Sequence, residues 1–385
     1  MNEGPLHVCV FGTWRREYSR NRIVHEGLRR NGVKVTECHA RLWRGIEDRV
    51  DAVEGGWRRI GFLVRVVVAY ARAILAWLRA GDHDVLMVGY PGQFDVFLAR
   101  VLATLRGRPL VMDVFMSIWL VARERGLSGA TDVLRAVERT ALSLPDRLLH
   151  DTARYVDWLH EAHGTDPGRF RLVPTGADDR LFAPTGAVPA DDGVFRVLFH
   201  GTFIPNHGVE TIVHAARLLR DEADIRLEFV GDGPTRPAAE EIARNHALEN
   251  VVFAGWMEPA DLAVKMETSH VCLGSFGTTP QSLMTVQNKI FEGLAMARPV
   301  ISGDGPAVRD ALVDGRDLLL VGRRDPAELA AAILRLRDEP GLSERLAAEG
   351  HRRFRESYTV EAIGRTTRRW LEELLPARRR ANLTR

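Results

Sequence analysis

Val286-Gln-Asn-Lys-Ile-Phe-Glu-Gly-Leu-Ala-Met-Ala-Arg-Pro-Val-Ile301 sets the reading of the whole chain, because it joins a short helix to a buried strand. Ile290, Phe291, Leu294 and Ala295 recur at spacings of three and four, one face of a helix, and Pro299 opens the apolar run Pro-Val-Ile. Lys289 and Glu292, three residues apart, then stand side by side near the helix start. Free N–H groups and partial positive charge at a helix start suit a phosphate. Lys289 adds a full charge, and Glu292 offers acceptors to a ribose diol, so a nucleoside diphosphate fits there. The same spacing also describes a surface ion pair worth about 0.2–0.5 kcal/mol. Lys289 is one of only three lysines, with Lys34 and Lys265, in a chain whose positive charge is otherwise arginine.

Lys-Ile-Phe-Glu-Gly-Leu-Ala-Met-Ala-Arg-Pro-Val-Ile, preceded by Cys-Leu-Gly-Ser-Phe-Gly at 272–277, resembles the donor-binding segment of retaining family-4 glycosyltransferases of the GT-B type. The usual pattern there is Glu-x7-Glu, a small-residue helix and Gly-x-Pro-Val-Ile. The resemblance implies that Glu292 holds the ribose of the nucleotide. The first glutamate of the pattern falls on Met284, a departure.

A chain of 385 residues suits two domains of ordinary size. With 45% hydrophobic and 27% charged residues its balance is that of a soluble globular protein. A net charge of +2 gives no case for nucleic acid as a partner. Cys9, Cys38 and Cys272 sit in strand-like apolar contexts without metal-ligand spacing, and read as reduced core residues. Met-Asn-Glu-Gly-Pro at the start has neither a basic nor an apolar leader region, so a cytoplasmic protein is expected.

His7-Val-Cys-Val-Phe11, a turn at Gly12-Thr13, a helix over 20–30 and a strand over 33–38 make a βαβ opening, hence a parallel sheet. The Gly12 turn lies where open α/β sheets bind ligands, which makes Gly12, Thr13, Arg20 and Asn21 candidates on the acceptor side, although a solvated loop is the simpler reading of the polar residues after Gly12. Over 57–79, Arg58, Arg65, Arg72 and Arg79 recur every seven residues in an otherwise apolar helix. Central arginines argue against a membrane span. The expectation is a domain helix buried on most sides with one wet stripe; the alternative is an interfacial helix on an anionic membrane. Strands follow at 84–89, 110–113 and 147–150, with helices over 96–105 and 130–142 between them. Asp82-His-Asp84 precedes its strand and reads as surface charge rather than a metal motif. Asp113 ends its strand on the crevice side, with Ser117 four residues on. Either can orient an acceptor hydroxyl, in the region where the resembling family keeps a polar residue near the reacting sugar; helix capping serves the aspartate equally well.

After a Pro-, Gly- and Ala-rich stretch the alternation restarts, with strands near 195–200, 225–230, 251–256 and 270–274 and no GxGxxG after any of them. Gly201-Thr-Phe-Ile-Pro-Asn-His-Gly208 is similar to the family's Gly-Arg-x4-Lys-Gly loop, whose two cations clamp the leaving diphosphate. Here Thr202 and His207 stand at the cationic positions, and Lys289 can supply the missing charge. The resemblance also places Gly231, Gly233, Trp256 and Met257 along the nucleotide base; tight turns and core packing explain them equally.

The expected fold is GT-B: two Rossmann-like, doubly wound α/β domains facing a central cleft. The N-terminal acceptor domain spans 1–182, a linker 183–193 and the donor domain 194–360, and 361–385 form a returning helix with a solvated basic tail. The implied activity is retaining transfer from a nucleotide-diphosphate sugar to an acceptor hydroxyl on a glycolipid, polysaccharide precursor or natural product. Neither a metal nor a cofactor beyond the nucleotide-sugar co-substrate is required. His207 and Lys289 act on the diphosphate, Asp113 on the acceptor, and Thr285, Val286 and Gln287 offer backbone N–H groups. Because Met284, Thr202 and His207 depart from the pattern, a non-catalytic nucleotide-sugar or glycan-binding scaffold and a GT-B nucleotide-sugar epimerase are the rival expectations.

Overall fold

The computed structural model describes residues 4–42, 60–124, 126, 131–186, 189–190 and 192–383. The 57–59 start of the arginine-repeat helix and residue 130 lie outside the described residues. The chain divides into one unit made of Met1–Pro174 with Val360–Arg385 and a second made of Thr175–Thr359.

In the first unit, strands β1 (His7–Gly12), β2 (Lys34–His39), β3 (Val85–Val88), β4 (Leu110–Asp113), β5 (Arg147–His150) and β6 (Phe170–Leu172) form a parallel sheet in the order β2-β1-β3-β4-β5-β6. Val8 faces Val35 on one side and Val85 on the other. Helices cover both faces, so β1, β3 and β4 are buried at every residue, as their unbroken apolar runs require. The order reverses beside β1, which puts a crevice at the carboxyl ends of β1 and β3.

The chain returns to this unit in the helix Val360–Glu372, whose Ile363 and Leu371 complete a core with Val24 and Leu28 of the helix Ser19–Arg30. The two helices cross backbone to backbone: a Cβ on Gly27 would stand 2.8 Å from the Cα of Gly364. The basic tail differs from expectation. Ala377–Leu383 is helical, and Arg379 donates to both carboxylate oxygens of Asp84, at 2.9 and 2.8 Å. Asp84 is therefore a buried anchor that also accepts from the His7 N–H, while Asp82 alone keeps the surface role, paired with Arg108.

The helix Ile60–Arg79 corrects the expectation of burial on most sides. Only Ala69, Ala73 and Trp77 are buried, and Ile60, Leu63, Val64, Val67, Leu75 and Leu78 are exposed.

The second unit holds β7 (Phe195–His200), β8 (Ile225–Val230), β9 (Val251–Ala254), β10 (Val271–Leu273), β11 (Val300–Gly303) and β12 (Leu319–Val321), parallel in the order β12-β11-β10-β7-β8-β9. Its boundary comes earlier than residue 183, because Ala177 and Phe182 pack in its core with Leu198, Phe291 and Tyr358. The polar stretch that follows is fastened at its start, where the Thr185 hydroxyl donates to Glu267 at 3.0 Å.

Candidate functional site

Two glycine turns build the floor of the site. β7 ends at His200, and Gly201 follows at φ +126° with its N–H donating to the Val230 carbonyl at 2.9 Å. Gly231, at φ +131°, lies so close to Gly201 that a Cβ there would overlap the Gly201 carbonyl oxygen. A side chain would clash with backbone at Gly231 and be strained at Gly201, so both strand ends turn on glycine.

The helix Asn288–Ala295 brings Lys289 over this floor. Its side chain is 5% exposed, its Nζ lies 4.3 Å from the centre of the Phe199 ring, and a Cβ on Gly201 would stand 3.1 Å from that nitrogen. The ammonium has no hydrogen-bond partner among the described residues. Desolvation pulls its pKa down to about 7, against a smaller upward pull from Glu292. His207, half-buried, turns its Nδ1 to the Thr202 carbonyl, and its Cε1 would be 3.8 Å from a Cβ on Gly201. Its pKa is pushed well below the ordinary value, by desolvation first and then by the charge of Lys289. Lys289 and His207, separated by 82 positions in the sequence, thus meet at Gly201 with their basicity suppressed, an arrangement that a bound anion would relieve.

Glu292, one turn on, sits 2.7 Å from His200 Nε2. His200 is buried and escaped the sequence reading, although a titratable residue ending an apolar strand just before Gly201 was its visible trace. Around this centre Thr202 is exposed, Trp256 is 67% exposed beyond β9, and Met257 packs on the core that includes Val286. The Thr285 hydroxyl donates to the Gln281 carbonyl at 2.8 Å, and the Gln287 amide donates to the Ser282 carbonyl at 3.3 Å, fixing the turn before Lys289. Met284, where the pattern has glutamate, is buried. Gly233, at φ +152°, packs on the Phe203 backbone.

The polar candidates of the first unit already have partners within that unit. Arg20 donates to both oxygens of Asp113, at 2.8 and 3.2 Å, and to the carbonyls of Val173 and Pro174 at 2.7 and 2.8 Å. Arg20 and Asp113 are both buried, so the carboxylate expected to orient an acceptor is already held by a guanidinium. The Thr13 N–H donates to Asp95 at 2.7 Å beside Gly12, and Tyr70 donates to the same carboxylate at 2.8 Å. The Asn21 amide donates to the Tyr90 carbonyl at 2.6 Å, and the buried Ser117 hydroxyl donates to Glu138. Above them the rings of Tyr18, Tyr90 and Phe115 form a cluster with centroids 5.2–5.8 Å apart, which the sequence reading did not assemble.

Two parallel, helix-covered sheets with ligand-type glycine turns at their strand ends define a GT-B fold. The solved sucrose-phosphate synthase of Thermosynechococcus elongatus matches 96% of this chain and 99% of its own, with a TM-score of 0.73 and 18% identity. Anabaena HepE in complex with UDP matches over 96% and 100%, with a TM-score of 0.69 and 12% identity. Residues 194–339, within the second unit, match the family model for glycosyl transferases group 1. The D-inositol 3-phosphate glycosyltransferase of Thermomonospora curvata is 29% identical over 245 residues, 54% of this chain and 53% of that protein. The chain thus spans about half the length of such a curated relative.

Proposed function

We propose that this chain transfers a sugar from a nucleoside-diphosphate sugar to an acceptor hydroxyl, with retention at the anomeric carbon and without a divalent metal. The observation that carries the reading is the buried Lys289 ammonium, unpartnered and aimed at the backbone of Gly201. A buried charge without a partner is costly, and a diphosphate supplies the missing counter-charge. Lys289 and the N–H groups at the start of its helix neutralise the charge that grows on the leaving phosphate, by the logic of an oxyanion hole. His207 donates to the same group once the anion raises its basicity. Glu292, oriented by His200, accepts from the ribose hydroxyls.

In the transfer step the bond from the anomeric carbon to the phosphate oxygen breaks while the acceptor oxygen bonds to that carbon on the same face. The acceptor proton passes to the departing phosphate oxygen, so no protein nucleophile or base is needed. This fits Asp113, which is held by Arg20.

Thermal unfolding against a panel of nucleoside diphosphates and nucleotide sugars, with and without chelator, tests the reading, since a ligand at a hundred times its Kd stabilises by about 2.7 kcal/mol. A selective shift that survives chelator and is lost in Lys289→Met supports it. No shift from any nucleotide overturns it in favour of a non-catalytic glycan-binding scaffold.

A further inference from the structure

The helix Asp95–Arg106 lies beside Ile60–Arg79 on one face of the first sheet: Tyr70 bonds to Asp95 at its start, and Arg106 stacks over Trp77 at 3.9 Å near its end. It too turns an apolar row outward, with Phe94 just before it, then Phe97, Val101 and Leu105, at spacings of three and four.

The helical angle orders the first helix into three arcs. Ala69, Ala73 and Trp77 face the sheet; Ile60, Val64, Val67, Leu75 and Leu78 face outward; Arg65, Arg72 and Arg79 run along the edge between them. Tyr70 lies on the opposite edge, against the second helix, so the two apolar arcs adjoin and the arginines line their far border. Neither outward arc carries an acidic residue, since Asp95, the only one in either helix, is buried.

We propose that these two helices dock the protein on an anionic lipid bilayer, the apolar arcs entering the acyl boundary and the arginines meeting phosphate head groups. A monomer rarely exposes apolar rows of this extent without a partner. The border chooses among partners. Arg72 and Arg79 are exposed and form no ion pair among the described residues; a second copy of the same face brings apolar surface but no acid for them, whereas head groups bring both. The docking goes beyond the donor site and does not depend on it.

Flotation with phosphatidylcholine vesicles, with and without phosphatidylglycerol, tests this. The wild-type protein should float with the anionic vesicles, several-fold less at high salt, and remain below neutral ones. Val67→Glu/Leu75→Glu, at exposed positions, should abolish flotation, and Arg72→Glu/Arg79→Glu should remove the preference for anionic lipid. Both variants should keep the wild-type melting temperature and any nucleotide-induced shift, which separates a failure of docking from a failure of the donor site or of folding. Absence of flotation with any vesicle, flotation unchanged in both variants, or a wild-type dimer that the variants dissolve overturns the proposal.

Discussion

Raising the pH from about 6 to about 8 should weaken binding of a nucleotide sugar roughly tenfold, because Lys289 must be charged to meet the diphosphate. Burial holds its pKa near 7 in the free protein, below the ordinary 10.5. The paired ammonium of the complex regains the ordinary value or more. With those limits, binding takes up about 0.1 proton near pH 6 and about 0.9 near pH 8, and the affinity ratio of about ten corresponds to ~1.4 kcal/mol. A nucleotide sugar is the right probe, since its doubly esterified diphosphate does not titrate in this range. Isothermal titration in two buffers of different ionisation enthalpy reads the proton uptake directly. The sign for stability is the reverse of that for binding. A lysine with a lowered pKa burdens the folded state fully below pH 7, and the burden fades as pH rises toward 10.5. Lys289→Met should therefore raise the melting temperature of the ligand-free protein at neutral pH while abolishing proton uptake. No uptake near pH 8, or a pH slope that survives in Lys289→Met, refutes the reasoning.

Gly201→Ala forces a Cβ into a backbone at φ +126° and to 3.1 Å from Lys289 Nζ, so it should cost ~1–3 kcal/mol and weaken donor binding, both read by thermal unfolding with and without nucleotide. Glu292→Ala should lower ribonucleotide affinity by ~1.5–3 kcal/mol and leave a 2′,3′-dideoxynucleotide unaffected; equal losses for both sugars would remove the ribose assignment. Arg20→Met strands the buried Asp113 and should cost ~3–5 kcal/mol in a denaturant titration, most of it recovered in Arg20→Met/Asp113→Leu; an unchanged midpoint would show that the pair carries no stability.

The alternation of apolar runs and glycine turns was enough to read both parallel sheets apart from the three-residue edge strands β6 and β12, and the Lys289–Glu292 spacing pointed to the helix that carries the unpartnered ammonium. What stayed hidden rests on long-range pairing. Arg20 and Asp113 lie 93 residues apart, and Asp84 and Arg379 lie 295 apart, so each looked like a free charge on its own segment. The His200–Glu292 bond spans 92 residues and was lost in the same way. The outward face of Ile60–Arg79 was illegible for a different reason: the arginine stripe marks one wet edge, but with apolar residues on all the other sides nothing says which of them meets the sheet. The unit boundary was misplaced because turn-rich composition marks where a chain is loose, whereas Ala177 and Phe182 show where packing changes allegiance.

The crossing of Gly27 with Gly364 has a consequence for a chain still being made. The first unit receives its last core residues, Ile363, Leu371 and Leu375, only after the whole of Thr175–Thr359 has been synthesised. At ~5–20 residues per second this leaves the groove along Val24 and Leu28 uncovered for ~10–40 s on the ribosome, while the uninterrupted second unit emerges in one piece. Termination just before residue 360 would thus release a chain whose second unit is complete and whose first unit lacks its closing helix.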